Sequence, residues 1–106
     1  MWTYLAYIIY KLFEKKNEVT VSDVCGFVMN KDCELHIYFT FEELLSDLEY
    51  LKELGIIDIR GNKIIPNFEK LKEIVNTVEE SWSITGIYMF EIYRRKIVKC
   101  LNQYFK

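Results

Sequence analysis

The chain has few of the residues that keep a polypeptide unfolded. Its 106 residues include four Gly, one Pro and one Ala, whereas 51% are hydrophobic. This composition excludes disordered, collagen-like and low-complexity proteins, because enough apolar surface is present to build a core. The length is that of a single domain. A net charge of −2 argues against a uniformly basic, histone-like protein that binds polyanions.

Cysteine and histidine are also scarce. The three cysteines, Cys25, Cys33 and Cys100, are odd in number and unclustered. We therefore predict free thiols, buried or half-buried, rather than a disulfide framework. Cys33 and His36 have one spacing found among metal ligands, but a zinc site needs three or four ligands. The prediction is a protein without a metal or a cofactor.

Motifs typical of enzymes and of exported or membrane proteins are missing. The sequence has no Gly-rich phosphate loop, no GxSxG and no HExxH. We predict no catalytic residues and a protein that is not an enzyme. No stretch resembles a signal peptide or reaches the roughly 18–20 apolar residues of a membrane span. A soluble, cytoplasmic protein is the expectation.

Apolar periodicity and capping residues predict three helices in the first half of the chain. The first runs from Trp2 to Lys16, and the second has about eight residues with Ser22 as its N-cap. In the third, from Phe41 to about Leu54, Thr40 and Glu43 form a capping box, and Phe39 and Leu44 a hydrophobic staple. Its apolar stripe, which we expect to face inward, consists of Phe41, Leu44, Leu45, Leu48, Leu51 and Leu54. Gly55 supplies a left-handed turn after it.

Three segments are typical of β-structure. Cys33 to Phe39 alternates between apolar and polar residues, which predicts a short strand with His36 outward. Two β-branched runs, ending at Arg60 and beginning at Lys63, flank Gly61 and Asn62, the pattern of a hairpin with a two-residue turn. Val19-Thr20-Val21 is a further short β-favouring piece.

The C-terminal part of the chain is helical, with one point left open. Asn67 can cap a fourth helix, and a last helix is expected from about Ile84 to Tyr104. Residues 81–86 are poor helix formers, so either a break occurs there or one helix spans 67–105; we favour the break. We treat 1–106 as a single domain, with a core over 1–80 and an added C-terminal helix over 81–106.

The order of helices and hairpin resembles the winged helix-turn-helix superfamily. The resemblance lies in two segments: the end of the third helix and the residues after it, from Leu48 to Ile57, and the hairpin from Arg60 to Pro66. They are most similar to small archaeal and bacterial regulators. The resemblance implies an α+β, mostly helical fold with a two- to three-stranded antiparallel wing sheet. It also implies a third helix that enters the DNA major groove and a C-terminal helix that makes a dimer.

The charge distribution departs from that of a DNA-binding member. Residues 34–58 carry a net charge of −6, and residues 81–106 a net charge of +4. With its apolar stripe inward, the third helix presents Glu42, Glu43, Ser46, Asp47, Glu49, Tyr50 and Glu53 outward. Duplex affinity comes largely from neutralising phosphates, so carboxylates on this face oppose it.

Our first hypothesis is a small dimeric winged-helix transcriptional regulator that binds double-stranded DNA. The expected DNA-binding residues are Arg60, Asn62, Lys63, Ser46, Tyr50, Arg94, Arg95, Lys96 and Lys99. The apolar part of the last helix covers over half its circumference, wider than a surface helix needs. We assign it to a homodimer interface formed by Ile87, Phe90, Tyr93, Ile97, Leu101, Tyr104 and Phe105. The alternative is that this helix packs into its own core.

The second hypothesis is a winged-helix protein–protein interaction module. In it, the acidic third helix docks a basic partner protein, and the segment of charge −6 is the reason for considering it.

Overall fold

The fold is α+β and mostly helical, as the sequence predicts. The computed structural model describes residues 2–84 and 88–105, with side chains over 2–76 and 93–105. Its elements in chain order are α1 (Trp2–Lys15), α2 (Val21–Val28), a 3₁₀ turn η1 (Lys31–Cys33), α3 (Phe41–Glu53), β1 (Ile57–Arg60), β2 (Lys63–Pro66), α4 (Phe68–Ile84) and α5 (Tyr88–Tyr104).

Helix α1 is the centre of the core. Of the five residues that its apolar periodicity selects, Phe13 is half-buried and the other four are fully buried: Leu5, Ile8, Ile9 and Leu12. Ala6 and Tyr7 are buried as well, so the helix is covered on more than one side. The neighbours that cover it are α2, α3 and α4. A short helix with apolar residues over most of its surface is stable only when other elements surround it in this way.

Helix α2 has the predicted length, but the prediction of Ser22 as its N-cap is wrong. Thr20 is the cap: its hydroxyl accepts a hydrogen bond from the Asp23 backbone N–H (3.0 Å). The Asp23 carboxylate in turn accepts from the Thr20 backbone N–H (2.9 Å). This reciprocal capping box starts the helix two residues earlier than expected, because Asp23 at the third helical position accepts from the backbone N–H of the cap.

The strand predicted over 33–39 is wrong. Cys33 ends the 3₁₀ turn, and both Glu34 and His36 have left-handed backbone angles, with φ of 52° and 51°. Leu35 and Ile37 are buried and alternate with the exposed Glu34 and His36, but Tyr38, expected on the outward side, is also buried, and Phe39 is 87% exposed. The alternation therefore describes burial only from Glu34 to Ile37, and it is wrong about conformation.

Helix α3 begins after Thr40, whose hydroxyl accepts from the Glu43 backbone N–H (3.2 Å). The predicted hydrophobic staple does not form, because Phe39 is 87% exposed while Leu44 is buried. At the other end of the helix Gly55 adopts φ of 74°, the left-handed conformation expected for it.

The predicted hairpin is confirmed. Strands β1 and β2 pair antiparallel with Arg60 opposite Lys63, and Gly61 has φ of 63° at the first turn position. A third strand is reduced to one antiparallel bridge between Thr20 and Lys63. Two backbone hydrogen bonds hold it, from Val21 N to Asn62 O (2.7 Å) and from Ile64 N to Val19 O (3.0 Å).

The described residues of the C-terminal half form two helices; of the break expected over 81–86, residues 81–84 belong to the first helix and the rest lies outside the described residues. Asn67 caps α4, and its side-chain oxygen accepts from the Lys70 N–H (3.2 Å). Helix α4 continues to Ile84, further than expected, and α5 begins at Tyr88 rather than near Ile84.

The prediction that all three cysteines are free thiols is wrong. Cys33 at the end of η1 and Cys100 on α5 form a disulfide with a Cα–Cα distance of 5.4 Å, and Cys25 is the free cysteine. The two partners lie 67 residues apart in sequence, so their proximity is a product of the tertiary fold. Burial raises the pKa of the remaining Cys25 thiol.

We expect Cys33→Ser to lower the free energy of unfolding by about 4 kcal/mol, because the bridge closes a long loop and restricts the unfolded chain. Urea titration measures the loss, with Cys25→Ser as the control that removes a thiol without opening the bridge. Equal unfolding midpoints for wild type, oxidised or reduced, and Cys33→Ser would contradict the assignment.

Candidate functional site

The orientation of α3 defines an acidic face. Leu44, Leu48 and Leu51 are buried against the body and fix which side of the helix points outward. The side opposite to them carries four exposed residues, which we call the acidic strip: Glu42, Ser46, Glu49 and Glu53. Lys52 lies on a flank of this strip rather than within it. The strip therefore presents three carboxylates along the exposed face of α3.

Exposed apolar side chains adjoin the acidic strip. Phe39 precedes the helix, and Phe41 and Leu45 lie one turn apart on its flank; they are 87%, 48% and 39% exposed. We call these three residues the apolar patch. The sequence predicted them inward, but a stripe from Phe41 to Leu54 covers about half of the helix circumference. The body covers only its middle, so the residues at its edges remain outside.

The hydroxyl of a buried tyrosine, Tyr38, is hydrogen-bonded to α3. Tyr38 is buried, and its hydroxyl donates a hydrogen bond to the Asp47 carboxylate (2.5 Å). Burial, and next the hydrogen bond to Asp47, raise the pKa of the Tyr38 phenol well above its usual range. Together with Glu42, Glu43 and Ser46, this pair lines a shallow cleft. The bond fixes the loop before α3 to the helix that carries the acidic strip.

The hairpin tip carries three of the predicted DNA-binding residues, each with a local partner. The Arg60 guanidinium lies 3.6 Å from the Asp58 carboxylate, and the Lys63 ammonium lies 3.0 Å from that of Glu18. Asn62 exchanges hydrogen bonds with the Ser22 side chain on α2. Such exposed ion pairs contribute little to stability, about 0–1 kcal/mol each, so a ligand can replace them.

The other predicted DNA-binding residues lie on α3 and α5. Ser46 is part of the acidic strip, and Tyr50 packs edge-on against Trp2, with ring centroids 5.7 Å apart. On α5, Arg94, Arg95 and Lys99 are exposed, and Lys96 donates to the Glu34 carbonyl (3.3 Å).

These residues belong to three elements: the hairpin, α3 and α5. The hairpin meets α2 at its first turn, through Ser22 and Asn62, whereas α5 meets α2 near its end, through Phe27 and Tyr104.

Much of the predicted dimer interface is used within the chain. Ile97 and Leu101 are buried in the core, so we leave them out of any interface. Tyr93 packs against Tyr4 at 5.2 Å between ring centroids. Tyr104 remains 45% exposed, and Phe105 is half-buried. Ile87 and the Phe90 side chain lie outside the described residues.

The described part of the chain contains neither a candidate metal-binding cluster nor a candidate membrane-spanning helix. His36 is exposed, and no group of three or more His, Cys, Asp or Glu side chains is arranged to hold a metal over the ranges described. Within the same ranges, no helix has the length and hydrophobicity to cross a membrane. The surfaces with the most distinctive chemistry are the acidic strip with its apolar patch, the hairpin tip and the exposed face of α5.

Comparison with known proteins gave no match to any family model, to any curated protein or to any solved structure.

We expect Tyr38→Phe to lower the free energy of unfolding by about 1 kcal/mol at neutral pH, because the Asp47 carboxylate loses a donor. Since folding raises the pKa of Tyr38, the wild-type advantage is complete below about pH 10, where the unfolded phenol titrates, and shrinks as pH rises further.

Urea titrations between about pH 8 and about pH 11 measure this difference. Tyr50→Phe removes a hydroxyl from a more exposed tyrosine of α3 and is the control at neutral pH. A difference between wild type and Tyr38→Phe that stays constant over the whole pH range would contradict the role of this bond.

Proposed function

We propose that the chain is a winged-helix protein that acts as a protein–protein interaction module, with the acidic strip and apolar patch of α3 as its binding surface. The topology supports the fold assignment: three helices precede a two-stranded hairpin. The segment between α1 and α2 bridges to β2 at Thr20 and Lys63, where winged helices have their third strand. The fold alone fixes no function, so the surface chemistry of α3 has to supply it.

The observation that carries the functional proposal is the charge of the outer face of α3. In a winged helix that reads DNA, this face enters the major groove. Here it presents Glu42, Glu49 and Glu53, and DNA phosphates would be repelled by all three. A single carboxylate can accept a hydrogen bond from cytosine, but three in a row oppose the approach of a duplex.

The apolar patch indicates what kind of molecule the surface binds. Phe39 and Phe41 are large aromatic side chains that water surrounds in the free protein, and burying them on binding would release that water. A partner that covers the patch and the acidic strip together needs apolar and basic groups side by side. A basic amphipathic helix of a protein has this chemistry.

DNA binding through the hairpin is the second candidate. The Arg60 side chain is 76% exposed at the hairpin tip, where winged helices contact the sugar–phosphate backbone, and Lys63 is next to it across the turn. In this case the protein would be a dimeric regulator that binds duplexes with its wing, and α3 would stay away from the phosphates.

Fluorescence anisotropy separates the candidates with two kinds of labelled probe, a helical peptide and a DNA duplex. We expect the protein to bind a helical peptide of Lys and Leu residues at low salt, and to ignore a Glu and Leu peptide of the same length. Neutralising the acidic strip (Glu42→Gln, Glu49→Gln and Glu53→Gln together) should weaken binding about tenfold, since each exposed ion pair contributes roughly 0.2–1 kcal/mol. Glu69→Gln on the exposed side of α4 is the control for a lost carboxylate.

The second probe is a short DNA duplex. Salt-dependent duplex binding that Arg60→Glu and Lys63→Glu abolish, together with no affinity for the basic peptide, would overturn the interaction module in favour of the wing.

A further inference from the structure

The exposed face of α5 is basic from residue 94 to residue 99, and the acidic residue of this helix, Glu91, lies one turn earlier in the sequence. Arg94, Arg95, Val98 and Lys99 are exposed and fall on one side of the helix. We call these four residues the basic strip. The sequence from 93 to 105 contains no acidic residue, and Val98, which is 39% exposed, lies in the middle of the strip. Arg94 and Arg95 also have interactions within the chain, which leave their side chains accessible at the surface.

The basic strip is opposite to the acidic strip in charge, with three cations against three carboxylates. At 1.5 Å per residue, Arg94 to Lys99 spans about 8 Å and Glu42 to Glu53 about 16 Å, so the basic strip covers about half of the acidic strip. Each strip also has exposed apolar side chains within reach, Val98 on α5 and the apolar patch beside α3. Two helices with these faces can pack along one another with opposite charges aligned.

Within one chain, both helices are held in place by other contacts. Helix α5 is fixed to the body by the disulfide from Cys100 to Cys33 and by the ring contact of Tyr93 with Tyr4. Helix α3 is fixed by its buried leucines. The residues of both strips remain exposed in the folded chain, so neither strip covers the other.

We infer that the acidic strip and apolar patch of one copy bind the basic strip of a second copy of this chain. This inference rests on the proposed function, for which it names the partner. Each copy offers one strip of either sign, so a two-fold dimer would make the same contact twice. The interface differs from the one expected from the sequence: it uses the polar face of α5, because the apolar residues Ile97 and Leu101 belong to the core.

A charge-swap experiment tests the inference with the full chain. One variant reverses the acidic strip (Glu42→Lys with Glu49→Lys), and the other reverses the basic strip (Arg95→Glu with Lys99→Glu). Sedimentation velocity at about 20 mM salt should show a dimer for wild type and a monomer for each variant. Mixing the two variants in equal amounts should restore the dimer, since the reversed strip of one variant then faces the reversed strip of the other, and the two native strips face each other. Raising the salt to about 500 mM should weaken the wild-type dimer at least tenfold by screening.

Matched controls change the net charge by the same amount at other exposed positions. They are Glu14→Lys with Glu69→Lys, and Lys15→Glu with Lys72→Glu, on α1 and α4. Both should remain dimeric. Circular dichroism of every variant shows whether its helices are intact, and recovery of the dimer on mixing shows that both partners are folded.

Three outcomes would overturn the inference: a wild-type monomer at low salt, a dimer that neither reversal affects, or reversed variants that stay monomeric when mixed although folded. A monomeric wild type that still binds the Lys and Leu peptide would remove the second copy as partner and leave the proposed function standing. A wild type that neither associates nor binds the peptide would remove both.

Discussion

The burial of α1 is the constraint on which the other elements depend. From Leu5 to Leu12 this helix has apolar side chains on most of its surface, and the chain buries them by placing α2, α3 and α4 around it. Burying such side chains contributes roughly 1.5–3 kcal/mol each, the largest favourable term available to a domain of this size. Helices α2, α3 and α4 all pack against α1. The side of each helix that contacts α1 therefore determines which side faces the solvent. The acidic strip on α3 is exposed for this reason.

A second, smaller constraint aligns the hairpin with the helices. Thr20 caps α2, pairs with Asp23 and forms the bridge to Lys63. The Lys16 ammonium at the end of α1 donates to the Asp23 carboxylate (2.9 Å). Burial raises the pKa of Asp23, but the hydrogen bonds from Lys16 and Thr20 outweigh it, and the net shift is downward. A few polar contacts thus join α1, α2 and the hairpin at one point.

Elements with strong local signals could be predicted from the sequence. The helices, the Thr40 and Asn67 caps and the hairpin around Gly61 each depend on residues close together in the chain. The segment over 33–39 could not be predicted in the same way. Its alternation agrees with burial only from Glu34 to Ile37, and the left-handed angles at Glu34 and His36 interrupt the extended conformation of a strand. The pairing of Cys33 with Cys100 was equally out of reach, because it depends on where α5 packs.

The candidate binding surface also has one part that could be predicted from the sequence and one part that could not. Its acidic part follows from the leucine spacing of α3, which turns Glu42, Glu49 and Glu53 outward in the sequence and in the structure. The apolar part was missed, because the sequence does not show how much of a wide apolar stripe the body covers. The width of that stripe was the available signal, since a stripe wider than about 100° exceeds what one packing partner buries.

The disulfide also divides the chain into a closed part and an open part. Everything from Cys33 to Cys100, including α3, the hairpin and α4, lies inside one covalent macrocycle, whereas α1 and α2 are outside it. A protease that cuts once within the macrocycle produces two pieces that still migrate together until a reductant separates them. The central helix of the core is thus supplied by a segment that the covalent ring does not enclose.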